Sequence, residues 1–266
     1  MIKPVIVCVA KLEGDYIEEW VKYHLALGVS KIYLYDNEDV STYPSILHKY
    51  ADKLIINHIP HNHVPNKIAV QYLILDHFIG SYYMSNDITH IIHIDIDEFI
   101  VLKKHANIVE FIEEYITGDC AGIGMNWRFF GSSGHSEKSN EPITQRFTRC
   151  DVNGNQHIKT IFDKRYYQHF CTPHDIKTHR GYHIKSTNGN IIVGPFNYTV
   201  DHSVIQLNHY KSKTLPEFRY IRSRGRADTV EQTVEDIEVL FAEFDRNECE
   251  DFTARDFYKN VCISTP

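Results

Sequence analysis

The chain has 266 residues, 42% hydrophobic and 24% charged, which excludes disordered and fibrous structure and suffices for a large, well-buried core. A net charge of −7 and a pI near 6.2 lack the basic surplus of a protein that grips phosphate backbones, so no nucleic-acid partner is expected. The longest apolar stretches, such as residues 68–75, fall short of the roughly 18 apolar residues that a spanning helix needs, so no transmembrane segment is expected.

The apolar run up to Ala10 ends at Lys11 with no small-residue cleavage site behind it, and reads as a first β-strand. Asp15 with Glu18 forms an expected capping box for a helix whose Ile17, Trp20, Val21, His24 and Leu25 share one face, and Gly28 ends it. Residues 31–35 read as a second strand stopping at Asp36-Asn37-Glu38-Asp39, a short helix starts near Pro44, and residues 53–59 read as a third strand. Helical periodicity over 68–79, a buried strand over 89–94 and a helix over 108–116 continue the alternation. The first half is thus a βαβαβ array with a mainly parallel sheet and right-handed crossovers, an α/β fold.

The second half is rich in Gly, His, Asn and aromatics, with short strand-like runs at 122–125, 160–162, 191–193 and 204–207. Lys211, Lys213, Arg219, Arg222, Arg224 and Arg226 form a basic cluster, followed by a largely acidic helical segment over 229–244. With no repeat, linker or low-complexity tract, one domain over 1–266 is expected, its second half a substrate-binding part on the same sheet. The six cysteines, Cys8, Cys120, Cys150, Cys171, Cys249 and Cys262, include no CxxC pair. They read as reduced thiols of a cytosolic protein, against which one Asn-Tyr-Thr sequon at Asn197 is the single secretory hint.

The strongest local signal is His93-Ile94-Asp95-Ile96-Asp97-Glu98-Phe99. Strand geometry would put Asp95 and Asp97 on one side and point Ile94 and Ile96 into the core. Two close carboxylates beyond a strand end repel unless a cation or a shared proton intervenes, and oxygen ligands favour Mg²⁺ or Mn²⁺; the alternative is a pair of exposed turn acids. After a second strand come Asn126-Trp127-Arg128-Phe129-Phe130 and the loop Gly131-Ser132-Ser133-Gly134-His135. The glycines allow close backbone approach and Trp127 and Phe130 offer rings to the C–H face of a sugar, or else form a β-turn with core aromatics. His209 ends a further strand-like run, where a neutral imidazole can complete a carboxylate metal shell and favours Mn²⁺. The arginines of residues 222–226 can neutralise a diphosphate, form a solvated loop, or touch an anionic lipid surface in peripheral membrane association.

Together these segments resemble GT-A-fold glycosyltransferases, close to glycosyltransferase family 92 and related bacterial and viral family 2-like enzymes. The matching pieces are Glu18-Glu19-Trp20-Val21-Lys22-Tyr23-His24 with Leu27-Gly28-Val29, Tyr33-Leu34-Tyr35-Asp36-Asn37, His93 through Phe99, Asn126-Trp127 with Phe130 through His135, and Leu207-Asn208-His209-Tyr210 with Arg224-Gly225. The resemblance implies a Rossmann-like GT-A fold and metal-dependent, inverting transfer of a sugar from a nucleotide-diphosphate donor, by default a UDP-hexose, to a glycan, glycoprotein or glycolipid. It implies a nucleotide-binding half over 1–100 and an acceptor-binding, metal-completing half over 101–266, with Asp95 and Asp97 on Mn²⁺ and the donor and His209 as the C-terminal metal ligand. Ala10, Lys11 and Asp36 would flank the nucleoside, and Trp127 with the 131–135 loop would shape the sugar and acceptor site. Animal members carry a membrane anchor and stem, so a bacterial or viral cytoplasmic enzyme is the expectation here.

Inverting transfer needs a base for the acceptor hydroxyl. Asp228, just beyond His209 and the arginines, is the first choice, with Asp175 and Glu141 as alternatives, although Asp228 could equally cap the final helix. A metal-dependent nucleotidyltransferase is the competing enzyme, for which Leu12-Glu13-Gly14-Asp15 is a poor phosphate loop. A sugar- or nucleotide-binding module without turnover is the non-enzymatic alternative.

Overall fold

The computed structural model describes residues 1–63, 69–223 and 236–263. Its first part follows the alternation read from the pattern: β1 (Pro4–Ala10), α1 (Ile17–Ala26), β2 (Lys31–Asp36), α2 (Tyr43–Ile46), β3 (Leu54–His58), α3 (Val70–Tyr82) and β4 (His90–His93). β1 pairs in parallel with β2 and β4, and β2 with β3. Period 2 divides β1 between two cores: Ile6, Cys8 and Ala10 pack with the α1 side, Val5 and Val7 with α3. Burial on both faces explains why these strands read as continuous apolar runs.

The expected capping box of α1 is not made. Its N-cap is Tyr16, with no side-chain cap bond, because Asp15 pairs with Lys138 and Glu18 with Lys49 across the surface. The Glu13 carbonyl starts the helix instead, accepting from the N–H groups of Tyr16 and Ile17. The other end stops as expected: Gly28 sits at φ 101°, and the N–H groups of Gly28 and Val29 bond to the carbonyls of Leu25 and His24, the paired bonds of a Schellman stop.

The second part contains β5 (Glu98–Leu102), α4 (Ile108–Tyr115), β6 (Cys120–Phe129), α5 (Ile143–Arg146), β7 (Arg149–Cys150), β8 (Ile158–Asp163), β9 (Tyr167–Phe170), β10 (Ile176–Thr178), β11 (His183–Lys185), β12 (Ile191–Ile192), β13 (Ile205–His209), α6 (Leu215–Arg222), α7 (Ile237–Phe244), β14 (Cys249–Glu250) and α8 (Thr253–Phe257). Among the described residues, ten strands form one sheet in the order β12-β11-β6-β8-β4-β1-β2-β3, with β13 joining β6 to β5. The sheet is parallel through its first half, as expected. Beyond β4 it is mixed, because β8 inserts antiparallel between β4 and β6. Of the acidic segment over 229–244, α7 is the described part, beginning at Ile237.

Asn197 is buried, and its Nδ2 donates to Asn126 Oδ1 at 2.7 Å and to the Thr199 carbonyl at 2.9 Å. The sequon amide is therefore a core hydrogen-bonding group in the folded chain. Cys8, Cys120, Cys150, Cys171 and Cys249 are free thiols. No helix among the described residues is long and apolar enough to cross a membrane.

A polar knot ties the C-terminal segment to the sheet. Asp251 accepts from Lys103 Nζ at 2.9 Å, Arg128 Nη1 at 3.1 Å and Gln206 Nε2 at 2.9 Å, and from the N–H and hydroxyl of Thr253. Burial raises the carboxyl pKa, but the Thr253 bonds and Lys103 outweigh it and hold it below the ordinary range. A depressed folded-state pKa means stability that is present at neutral pH and lost as pH falls from the unfolded value towards the folded one. Asp251→Ala is expected to cost about 3 kcal/mol at pH 7, since two cations lose their partner. In urea titrations the gap from wild type should shrink below about pH 4; a gap independent of pH would count against the charge account.

Candidate active site

The acidic pair lies in the turn between β4 and β5, not on a strand. Ile94 and Ile96 are buried as expected, but the carboxylates are placed by turn bonds rather than by period 2. The Glu98 N–H donates to the Asp95 carbonyl at 3.1 Å, and the Asp95 N–H donates to Glu98 Oε2 at 2.8 Å. Lys159 of β8, only 1% exposed, reaches this turn: its Nζ is 3.1 Å from Asp95 Oδ2 and 3.9 Å from Glu98 Oε2. Gln71 of α3 donates to the other Asp95 oxygen at 2.8 Å. Burial opposes the Asp95 charge, yet Lys159 holds its carboxyl below the usual range. Burial dominates at Glu98 and pushes its carboxyl well up.

β13 brings the histidine. Its register sets His209 opposite Glu98 on β5 and Phe129 on β6, so His209 stands beside the acidic turn. His209 Nε2 is 3.5 Å from Asp97 Oδ2. Nδ1 is buried and has no hydrogen-bond partner among the described residues. Burial lowers the imidazole pKa against the pull of Asp97, leaving a neutral ring.

Further aromatics wall the site. Trp127 stacks on His157 at 4.9 Å, and its ring lies 4.6 Å from His209 and 5.3 Å from His174. Trp127 Nε1 and His93 Nε2 are buried without partners among the described residues. Burial first, then Lys159, lowers His93 to about 3 and His174 to about 4, so both rings are neutral at physiological pH. His93 Nδ1 meets the Pro173 carbonyl at 2.8 Å, joining this wall to the β9–β10 connection.

At the ends of β1 and β2, Ala10 and Asp36 are register partners. Asp36 Oδ1 accepts from the Glu38 N–H at 2.9 Å, and Oδ2 is buried without a partner among the described residues. Glu38 Oε1 in turn accepts from the Leu12 N–H at 2.6 Å and the Tyr43 hydroxyl at 2.9 Å, fixing the turn that contains Lys11.

The 131–135 loop uses its groups within the chain. A Cβ at Gly131 would meet the Arg246 carbonyl at 2.4 Å, so the close approach that glycine permits is to the chain's own backbone. The Ser132 N–H bonds to Asp245 and the Ser133 N–H to Asn247; Ser133 Oγ accepts from Thr148 and Arg149. Gly134 has φ 82°, and His135 Nε2 meets the Arg146 carbonyl at 3.1 Å. Phe130 is a core residue packed 4.8 Å from Tyr210.

The structure thus brings together Asp95, Asp97, His209 and Trp127, with Ala10, Lys11 and Asp36 at the neighbouring strand ends. Of the base candidates, Glu141 is exposed, Asp175 accepts the Thr172 hydroxyl in the turn before β10, and Asp228 lies outside the described residues, as do Arg224 and Arg226. Lys159, Gln71, Glu38, His157 and His174 escaped the sequence reading. Lys159 directly precedes the run at 160–162, yet nothing local marks it as facing Asp95.

For a divalent ion, octahedral donors about 2.1 Å from the metal lie about 3 Å apart when adjacent, so Asp97 Oδ2 and His209 Nε2 suit neighbouring positions. An oxygen–imidazole set suits Mn²⁺. Asp95 is held by Lys159 and Gln71, and no group of three or more ready ligands occurs among the described residues. Further ligands would come from a substrate.

The model of glycosyltransferase family 92 matches residues 3–248. The chain belongs to glycosyltransferase family 92. Its mainly parallel α/β sheet with flanking helices agrees with the GT-A organisation expected for it. A search of curated proteins finds no match. Among solved structures, S. aureus TarS 1–349 in complex with UDP is similar at 12% identity and a TM-score of 0.36, over 62% of this chain and 48% of that one. The UDP-GlcNAc complex of the same TarS fragment gives 13% and 0.36 over 62% and 46%. The apo-form glycosyltransferase GlyE of Streptococcus pneumoniae TIGR4 gives 16% and 0.30 over 46% and 29%. The chain spans about half the length of the two TarS complexes it matches.

Lys159→Ala leaves the ionised Asp95 without its cation. It is expected to cost about 3–5 kcal/mol, whereas Gln71→Ala, which removes one charge-assisted hydrogen bond, should cost about 1.5–3 kcal/mol. Chemical denaturation checks both; a Lys159→Ala midpoint equal to wild type would remove the ammonium from its structural role.

Proposed function

We propose that the enzyme transfers a sugar from a nucleotide-diphosphate donor, a UDP-hexose, to a hydroxyl of a glycan, glycoprotein or glycolipid, with inversion and with Mn²⁺ or Mg²⁺. The observation that carries this reading is the facing of Asp97 Oδ2 and His209 Nε2 at 3.5 Å, beside an acidic turn that follows a strand parallel to β1. In open α/β sheets, ligands sit beyond the carboxyl ends of the parallel strands. The nucleoside is assigned to Ala10, Lys11 and Asp36, and the diphosphate to the side of Asp95 and Asp97; Arg224 is proposed as a further diphosphate ligand from the sequence alone.

Asp97 and His209 would hold the cation, which when bound neutralises the charge that develops on the departing diphosphate. His209 is suited to this because burial keeps it neutral, leaving a lone pair for coordination. Lys159 keeps Asp95 ionised next to the site. Trp127 offers an apolar ring to the sugar and an unpartnered Nε1–H to one of its oxygens. The acceptor hydroxyl needs a base on the face opposite the leaving group; Asp228 is proposed for this role from its place beyond His209.

Asp97→Ala is expected to lower kcat/KM about a thousandfold with little change in melting temperature, measured with UDP-sugars and Mn²⁺ across an acceptor panel. Full activity in the variant would remove Asp97 from the reaction. Asp228→Asn should lower kcat by about 10²–10⁴-fold, and the anomeric configuration of the product, read by NMR, tests inversion.

A further inference from the structure

Lys213 stands out among the side chains that the site described so far does not use. It is 1% exposed, and its ammonium has no hydrogen-bond partner among the described residues. The contact it does make is with the face of Tyr16, 4.9 Å from Nζ to the ring centre. Tyr16 ends the turn between β1 and α1, so Lys213, four positions after His209, packs against the segment that follows the end of β1. Glu217, which shares Tyr16 with Lys213, is already saturated. Its oxygens take Arg146 at 2.7 and 3.2 Å, the Tyr16 hydroxyl at 2.8 Å and the Thr214 hydroxyl at 2.6 Å.

Burying an ammonium without an acceptor is unfavourable, and a ring face compensates only part of it. The backbone adds to the cost: Lys213 has φ 53°, and Leu12, in the β1–α1 turn, has φ 59°. Non-glycine residues rarely adopt this region, and such strain gathers at ligand sites.

We infer that Lys213 is a ligand of the donor diphosphate, an anion that supplies the acceptor oxygens this ammonium lacks. The inference rests on the nucleotide-diphosphate reading above. Lys213 acts as a point charge on the phosphate oxygens as the β-phosphate–sugar bond breaks.

The test compares UDP and uridine binding by calorimetry, with Mn²⁺, to wild type, Lys213→Met and Lys213→Arg. The expected result is a 10- to 100-fold weaker Kd for UDP in Lys213→Met, unchanged uridine binding, and recovery to within a few-fold in Lys213→Arg. Ligand-free Lys213→Met should melt at or above wild type, because an uncompensated buried charge is gone; a purely structural lysine would give a lower melting temperature. If Lys213→Met does not fold, Lys213→Gln carries the same comparison. Wild-type-like UDP binding by a folded Met or Gln variant overturns the assignment and leaves the donor reading standing. A wild type that binds UDP no better than uridine overturns the donor reading, and the lysine assignment with it.

Discussion

Asp95 and Asp97, two residues apart, can share one turn only if something opposes their repulsion, and the Lys159 ammonium, 3.1 Å from Asp95 Oδ2, does so. It arrives from β8, the antiparallel strand inserted between β4 and β6. That insertion interrupts the parallel order of the sheet and also delivers the cation that the acidic turn requires. The remaining site geometry is arranged around the turn. β5 leaves it to pair with β13, which sets His209 against Asp97, and β6 flanks β13 with Trp127 and Phe129.

The same arrangement accounts for the unequal fates of the two aspartates. Asp95 is held by Lys159 and Gln71, so it acts as a fixed negative charge at the base of the site. Asp97 faces the neutral imidazole of His209. Two carboxylates with one chain neighbour between them thereby acquire different chemistry, one anchored to an internal cation and the other directed at an imidazole.

Much of the first half was legible because local periodicity and buried faces coincide there: the βα alternation, the stop at Gly28, and the inward Ile94 and Ile96. Local patterns misled where surface chemistry offered a competing partner. Asp15 and Glu18 have capping-box spacing, but Lys138 and Lys49 take them. Asp95 and Asp97 have strand spacing, but the Asp95–Glu98 bonds close a turn. The loop from Gly131 to His135 has the composition of a ligand loop, yet it is fastened to residues 146–149 and 245–247. What could not be read was whatever depends on long-range pairing: Lys159 on Asp95 is 64 residues distant in sequence, and no local signal encodes which strand inserts next to β4. His209 was legible by its place after an apolar run, whereas the register that sets it beside Glu98 was not.

The insertion of β8 also affects synthesis of the chain. Four strands, β1 to β4, can pair in parallel as soon as residue 93 has emerged, but the partner on the open side of β4 is complete only at Asp163. At a synthesis rate of about 5–20 residues per second, the gap lasts on the order of ten seconds. Throughout it, Ile91 and Ile92 lie on an uncovered sheet edge, the kind of template on which nascent chains associate wrongly. The acidic turn emerges within the same interval and waits for Lys159, so the edge is covered and the carboxylates gain their cation in a single docking step.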